Sequence, residues 1–373
     1  MSKDKRILNY PRRRILRFLT KWTFRAVLKL LFRIEVVGLE NFPRNGPLLV
    51  VGNHTGAMEV VLLNAYAPRQ IEMLSAADTP TERITEIINS IYGSIPVKRG
   101  SYNRGSLQKA LDVLNQEGMV GIFPEGGVWD VGKQRALPGI SWLSYRSGAP
   151  ILPIGFNDTS GAMSAGLKFK RPYLKMYIGK ILEPASMPDG IAKKTYYKNH
   201  SAEIMKTVYQ LVPQEDAPLQ MDISEESFNL EISVIDLAGN QVDLPPGLQP
   251  EHSSELGKFF LLPHLLEIFF INLELPASPL QSLSTDPPTE QLIEAIKSIL
   301  FYLQNENPYL LTYRFGVATG LGMQKGLQEL LQVLEWSSAL GFKISLRAIR
   351  QYFSNAEQRV IIQREQETIE PWM

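Results

Sequence analysis

His54 and Glu59 stand five residues apart in the stretch VGNHTGAMEV, residues 51–60. An imidazole with a carboxylate in reach makes a general base. The carboxylate fixes the ring tautomer and stabilises the imidazolium that forms when the ring takes a proton. A hydroxyl deprotonated there can attack a carbonyl carbon. A lone histidine is more often a core or surface residue, but His54 follows the apolar run PLLVV (47–51) and precedes a helical pattern. A rigid strand end of that kind can present a side chain to solvent. The other three histidines, His200, His252 and His264, are scattered without ligand spacing, so no metal site is expected.

Three further stretches carry usable chemistry. In IPVKRG (95–100), Lys98 and Arg99 close a short strand beside a glycine, where a guanidinium fork can hold an anion. In IFPEGG (122–127), Glu125 can accept hydrogen bonds from substrate hydroxyls, while Gly126 and Gly127 allow close backbone approach and expose N–H donors. Taken alone, the first is a solvated charge pair and the second a turn. In GAPILPIGF (148–156), Pro153 interrupts an apolar strand and marks an edge or a special loop, because proline cannot join a central ladder.

These residues need elements to hold them. Strand patterns at 33–39, 47–53, 71–76, 94–98, 119–124, 150–156 and 174–182 alternate with helix patterns at 57–67, 81–91, 104–117, 139–147 and 196–212. The alternation predicts an α/β domain with a largely parallel, buried sheet flanked by helices. In such sheets, sites form at the carboxyl ends of strands, which is where His54 and Glu125 fall. The polar, acidic stretch 213–227 reads as a linker. Beyond it, residues 228–373 form a second, smaller α/β or α+β domain of unassigned role, with a strand at 230–237, an apolar segment at 259–275, and helices near 289–304 and 323–340.

The net charge of +1 hides a split. Residues 1–214 hold 30 basic and 16 acidic side chains, whereas residues 215–373 hold 9 and 22. The basic part favours an anionic partner. The chain has no cysteine, which excludes disulfides, thiolate metal sites and a cysteine nucleophile, and fits a reducing compartment. No secretory signal is read in the charged opening residues. Residues 1–34 read as a membrane-associating segment: 14–34 is one helix with Arg17, Lys21, Arg25, Lys29 and Arg33 at every fourth place. Each central Lys or Arg costs about 2.5–3.5 kcal/mol to insert, so the helix is expected to lie in the bilayer interface with its basic stripe toward anionic lipid. Nucleic acid is not expected as a partner, since no aromatic–basic interleaving is present.

The order of motifs across residues 35–212 resembles the glycerophospholipid acyltransferases, the lysophosphatidate and glycerol-3-phosphate acyltransferase group: NH-x4-acid, hydrophobic-Pro-Val-basic-Arg, FPEG, and a proline within an apolar strand. The resemblance implies transfer of an acyl chain from a thioester of coenzyme A or acyl-carrier protein, without a further cofactor. The acceptor it implies is a hydroxyl of a glycerol phosphate or lysophospholipid. It implies His54 as base and Glu59 as its orienting acid, Lys98 and Arg99 at the acceptor phosphate, Glu125, Gly126 and Gly127 positioning the acceptor, and Pro153 near the acyl site. It also implies a protein on the cytoplasmic face of a membrane, peripheral or monotopic.

Two departures bear on the acceptor. The family usually has Asp where this chain has Glu59, although the related lipid A acyltransferases commonly carry Glu. After Gly126 the family usually has Thr and a basic residue, whereas here Gly127, Val128 and Trp129 follow, and Lys133 and Arg135 are the next positive charges. A glycolipid or other lipid hydroxyl is therefore an alternative acceptor, and a non-catalytic lipid-binding protein of the same fold is an alternative class.

Overall fold

Helices and strands alternate through the first 210 residues of the computed structural model, which describes residues 7–76, 92–97, 104–126, 136–159, 161–217, 223–261, 269, 273, 288–355 and 357–364. In chain order they are α1 (Arg14–Leu31), β1 (Arg33–Val37), β2 (Leu48–Gly52), α2 (Met58–Tyr66), β3 (Ile71–Ala76) and β4 (Ile95–Val97). Next come α3 (Arg104–Leu114), β5 (Met119–Ile122), α4 (Gly139–Ser147), β6 (Ile151–Phe156), α5 (Ala162–Leu167), β7 (Tyr173–Ile178) and α6 (Lys193–Gln210). The helix pattern at 81–91 lies outside the described residues.

The seven strands form one sheet in the order β1-β7-β6-β2-β5-β3-β4. All neighbours run parallel except β6 and β7. β2 is buried over its whole length, and its side chains alternate between two cores. Leu48 and Val50 pack with Leu62 of α2, Leu28 of α1 and Phe156, whereas Leu49 and Val51 pack with Leu111 of α3, Leu143 of α4 and Val208 of α6. Helices on both faces are what a continuous apolar strand requires.

Pro153 corrects one expectation. Its strand, β6, is interior rather than an edge, paired with β2 through Val51↔Pro153. The ladder toward β7 is broken at this point, between the Ile151↔Leu182 bridge and the Ile154↔Ile178 pair. Pro153 accepts from Gly179 N at 2.9 Å on that side, as Ile151 does from Leu182. The missing N–H therefore falls in the irregular stretch, where a proline is tolerated.

The second correction concerns α1. Arg17, Lys21 and Arg25 of its basic stripe face the protein, whereas Lys29 and Arg33 stay exposed. Arg17 is buried and forms a bidentate pair with the fully buried Glu72, Nη1–Oε1 and Nη2–Oε2 both at 2.9 Å. It also donates to the carbonyls of Tyr92 and Gly93, and Arg12 reaches Glu72 at 2.8 Å. Lys21 donates to Ala67 O and Arg25 to Ala65 O, the carbonyls at the carboxyl end of α2, whose dipole draws cations. Burial lowers the Lys21 pKa. Ile15, Phe18, Leu19, Trp22 and Leu30 are left exposed.

The second domain is built on an antiparallel sheet, β11-β10-β8-β9, of β8 (Ile223–Ile235), β9 (Gln241–Val242), β10 (Lys343–Ser354) and β11 (Arg359–Arg364). Among the described residues four helices accompany it: α7 (Ser253–Leu261), α8 (Thr289–Asn305), α9 (Leu310–Phe315) and α10 (Val317–Leu340). A separate core of Leu256, Phe259, Ile296, Leu327, Leu330 and Ile344 holds it together. β8 begins inside the stretch expected to be a linker. Its Ser and Glu residues there read as polar because one face of the strand is open to solvent. Most of 259–275 lies outside the described residues; Phe259 and Phe260 end α7, and Phe269 packs on them.

Candidate active site

β2 and β5 are neighbours in register, with Val51 opposite Ile122. His54 and Glu125 each lie three residues beyond that pair, at the carboxyl ends of adjacent central strands. The backbone N–H of His54 donates to Glu125 Oε1 at 3.3 Å. Asn53 prolongs the sheet with its side chain: Phe156 N donates to its Oδ1 at 2.7 Å, and its Nδ2 donates to Phe156 O at 3.0 Å. The chain is thus clamped to β6 directly before His54.

The imidazole stacks on Phe123, with centroids 4.6 Å apart and planes 15° apart. Gly52 makes room for this. A Cβ there would lie 2.8 Å from Phe156 Cε2 and 3.0 Å from Phe123 Cε1, closer than either ring permits.

Glu59, in the first turn of α2, is fully buried. Its Oε1 accepts from Thr55 N (2.8 Å), Thr55 Oγ1 (2.7 Å), Gly56 N (2.8 Å) and Thr159 Oγ1 (2.8 Å). Its Oε2 faces His54 Nδ1 at 3.6 Å. Burial alone would raise the Glu59 pKa, but the His54 side chain and the Thr55 hydroxyl outweigh it, so the carboxyl sits below its ordinary range. Thr55 and Gly56 bend back over the helix start, so that Glu59 reaches their N–H groups with one oxygen and faces His54 with the other.

Glu125 is buried too, and its environment acts the other way. Burial pushes its pKa up to about 7, against the lowering effects of a hydrogen bond from Tyr209 Oη at 2.7 Å and of His54. Gly126 follows in a tight turn at φ 76°, its N–H bonded to Phe123 O at 3.2 Å. Two carboxyl groups therefore flank one histidine, one with its pKa lowered and one with its pKa raised to about 7. Such divergence marks acid–base sites.

The structure brings His54, Glu59, Glu125 and Gly126 together. Pro153 is one strand away, opposite Val51, with its ring toward Gly179. Lys98, Arg99 and Gly127 lie outside the described residues, as do Lys133 and Arg135. The sequence reading missed Asn53, Thr55, Phe123, Thr159 and Tyr209. Asn53 and Thr55 flank His54 and were open to inspection. Thr159 and Tyr209 are distant in sequence and carry no local signal.

Residues 33–157 match the Acyltransferase family. Two relatives, both 1-acyl-sn-glycerol-3-phosphate acyltransferases, are 26% identical to the chain. One, from Borreliella burgdorferi, aligns over 149 residues, 39% of this chain and 59% of the relative. The other, from Bacillus subtilis, aligns over 165 residues, 43% of this chain and 79% of the relative. The chain thus spans about three fifths of the first relative's length. The solved structure of PlsC from Thermotoga maritima, a 1-acyl-sn-glycerophosphate (LPA) acyltransferase, is 17% identical with a TM-score of 0.38, covering 52% of this chain and 79% of that one. Residues 33–157, which carry His54, Glu59 and Glu125, are thus the part of the chain that is similar to the acyltransferases.

Proposed function

We propose that this protein transfers an acyl chain from a thioester of coenzyme A or acyl-carrier protein to a hydroxyl of a glycerol phosphate or lysophospholipid, at a membrane surface. One observation carries the reading: a buried carboxylate faces Nδ1 of a histidine whose side chain is 20% exposed, at the end of a central parallel strand. With Nδ1 turned to Glu59, Nε2 is the nitrogen that takes the proton of the acceptor hydroxyl. The resulting oxygen nucleophile attacks the thioester carbonyl carbon, a C–O bond forms, and the C–S bond breaks. The thiolate leaves and receives the proton back from the imidazolium. Glu59 stabilises the imidazolium between the two transfers.

Glu125 and the Gly126–Gly127 backbone position the acceptor in this reading, Lys98 and Arg99 hold its phosphate, and Pro153 lies near the acyl site. Membrane association is supported by the outward apolar face of α1. No described helix is long and apolar enough to cross a membrane. The exposed apolar face of α1 suits peripheral or monotopic docking, which this reading puts on the cytoplasmic face. His54→Ala tests the chemistry in an assay with labelled acyl-coenzyme A, acyl-carrier protein and lysophosphatidate. Transfer should fall about 10²–10⁴-fold with the fold retained. Undiminished transfer by a folded His54→Ala protein would end the proposal.

A further inference from the structure

The turn that carries Glu125 is met from outside its own domain. Tyr313 belongs to α9, whose Leu310 and Leu311 are buried in the second core. α9 is held hard against α10. A Cβ on Gly320 would come within 2.5 Å of Thr312 N and 2.6 Å of the Leu311 carbonyl carbon, so the two backbones touch there. Gly316, at φ 85°, makes the bend between them. From this fixed base the half-buried Tyr313 reaches the catalytic domain. A Cβ built on Gly126 would lie 3.1 Å from Tyr313 Oη and 2.8 Å from Leu137 Cδ1. The phenol hydroxyl thus stands beside the residue after Glu125, and the chain that follows, Gly127 and Val128, brings no polar side chain of its own.

We propose that the second domain supplies part of the acceptor pocket, with Tyr313 as a substrate-binding residue that hydrogen-bonds the polar head of the acceptor. This rests on the acyltransferase reading and adds to it a role for residues outside the family match. A phenol hydroxyl both donates and accepts, and the carboxyl of Glu125, the residue before Gly126, accepts. Together they suit a glycerol head that bears a free hydroxyl and a phosphate. An acyl thioester chain would gain nothing from either group. Gly126 is required as glycine because any larger residue would displace Tyr313 and Leu137.

The test compares the full chain with Tyr313→Phe, which keeps the ring, and Tyr313→Ala, which removes it. With lysophosphatidate varied against fixed acyl-coenzyme A, and the reverse, both variants should raise the acceptor KM about tenfold, the size of one lost hydrogen bond. The donor KM and kcat should stay within about twofold, with melting unchanged. An acceptor KM unmoved in the folded Tyr313→Phe protein, or donor and acceptor KM rising together, overturns the proposal. A second arm does not depend on turnover. Monomeric lysophosphatidate is titrated calorimetrically into the His54→Ala protein with and without Tyr313→Phe. Binding about tenfold weaker with the second substitution supports the role of Tyr313, and equal binding overturns it. Wild-type protein that binds but transfers no acyl group would sink only the acyltransferase reading.

Discussion

His54 Nδ1 and Glu59 Oε2 face each other at 3.6 Å, and neither atom has a hydrogen-bond partner among the described residues. The two oxygens of Glu59 thus have separate tasks. Oε1 is pinned by four donors from Thr55, Gly56 and Thr159, and Oε2 is kept for the imidazole. At 3.6 Å the pair is a charge contact rather than a hydrogen bond. Protonation of the ring is what would draw it closed, because only the imidazolium carries a full charge toward the carboxylate.

Glu59→Gln follows directly. The four donors hold an oxygen at the Oε1 position, so the amide nitrogen must face His54. It donates to Nδ1, which fixes the proton on Nε2 and leaves no acceptor for the hydroxyl. Transfer should fall about 10²–10⁴-fold, while thermal melting changes little because shape and most hydrogen bonds persist. Glu59→Asp should also lose activity, since the shorter chain cannot reach both sets of partners. Initial rates beside melting curves check both, and full activity in Glu59→Gln would remove the tautomer argument.

Glu125 should cost the protein stability. Its pKa stands at about 7 in the fold against an ordinary 4.5. Below 4.5 both folded and unfolded chains hold the proton. Between 4.5 and 7 only the folded chain does, so stability falls as pH rises, and above 7 the deficit is constant. At most it amounts to about 3 kcal/mol. Glu125→Gln keeps the acceptor oxygen for His54 N and Tyr209 but removes the titration. The variant should therefore melt higher than the parent at pH 8, converge with it near pH 4, and bind acceptor worse. Parallel melting curves across that whole range would refute the buried, neutral-leaning carboxyl.

Much of the first domain was legible because β2, β5 and β6 are buried on both faces and so read as apolar runs, broken only by Gly121, Pro153 and Gly155. The placing of His54 and Glu125 at strand ends followed from that. What was not legible came from contacts between distant segments. The fourfold repeat of Arg17, Lys21 and Arg25 marks one helix face correctly, but periodicity cannot say whether that face meets lipid or protein. The decision is made by Glu72 and by the carbonyls of Ala65 and Ala67, some forty to fifty-five residues away. Thr159 and Tyr209 escaped for the same reason. β10 and β11 escaped because their alternation is mixed with Arg and Gln on the open face.

Arg17 should be a stability residue. It satisfies a fully buried Glu72 and several carbonyls, and removal of one partner of a buried pair typically costs about 3–5 kcal/mol. Arg12 still reaches Glu72, so Arg17→Met should sit at the low end, about 3 kcal/mol by urea unfolding. Adding Glu72→Leu should restore at least half of the loss, since the orphaned charge is then gone. A single variant within 1 kcal/mol of the parent, on the same scale, would show that the fork contributes little.

The membrane contact can be tested on the face that α1 leaves uncovered. Phe18, Leu19 and Trp22 are each more than half exposed, while Arg17, Lys21 and Arg25 bond to the protein, Arg25 also stacking on the Trp22 ring at 5.0 Å. With those three cations occupied by the protein, the stripe's own attraction to anionic lipid is reduced to Lys29 and Arg33, and apolar insertion is expected to be the helix's main contribution. Burying three such side chains in the interface contributes roughly 1–2 kcal/mol each. Phe18→Ser, Leu19→Ser and Trp22→Ser together should therefore weaken binding about 10²–10⁴-fold. The substitutions spare the Arg17–Glu72 fork, so the fold is kept, which deletion of the whole helix would not ensure. The parent protein should sediment with neutral phosphatidylcholine vesicles as well as anionic ones, and should stay bound at about 0.5 M salt, where surface charge attraction is largely screened. The triple variant should remain in the supernatant and transfer to membrane-borne acceptor poorly, while retaining activity on a soluble analogue. Binding of the parent only to anionic vesicles, lost in salt, would return the contact to Lys29, Arg33 and the rest of the basic surface.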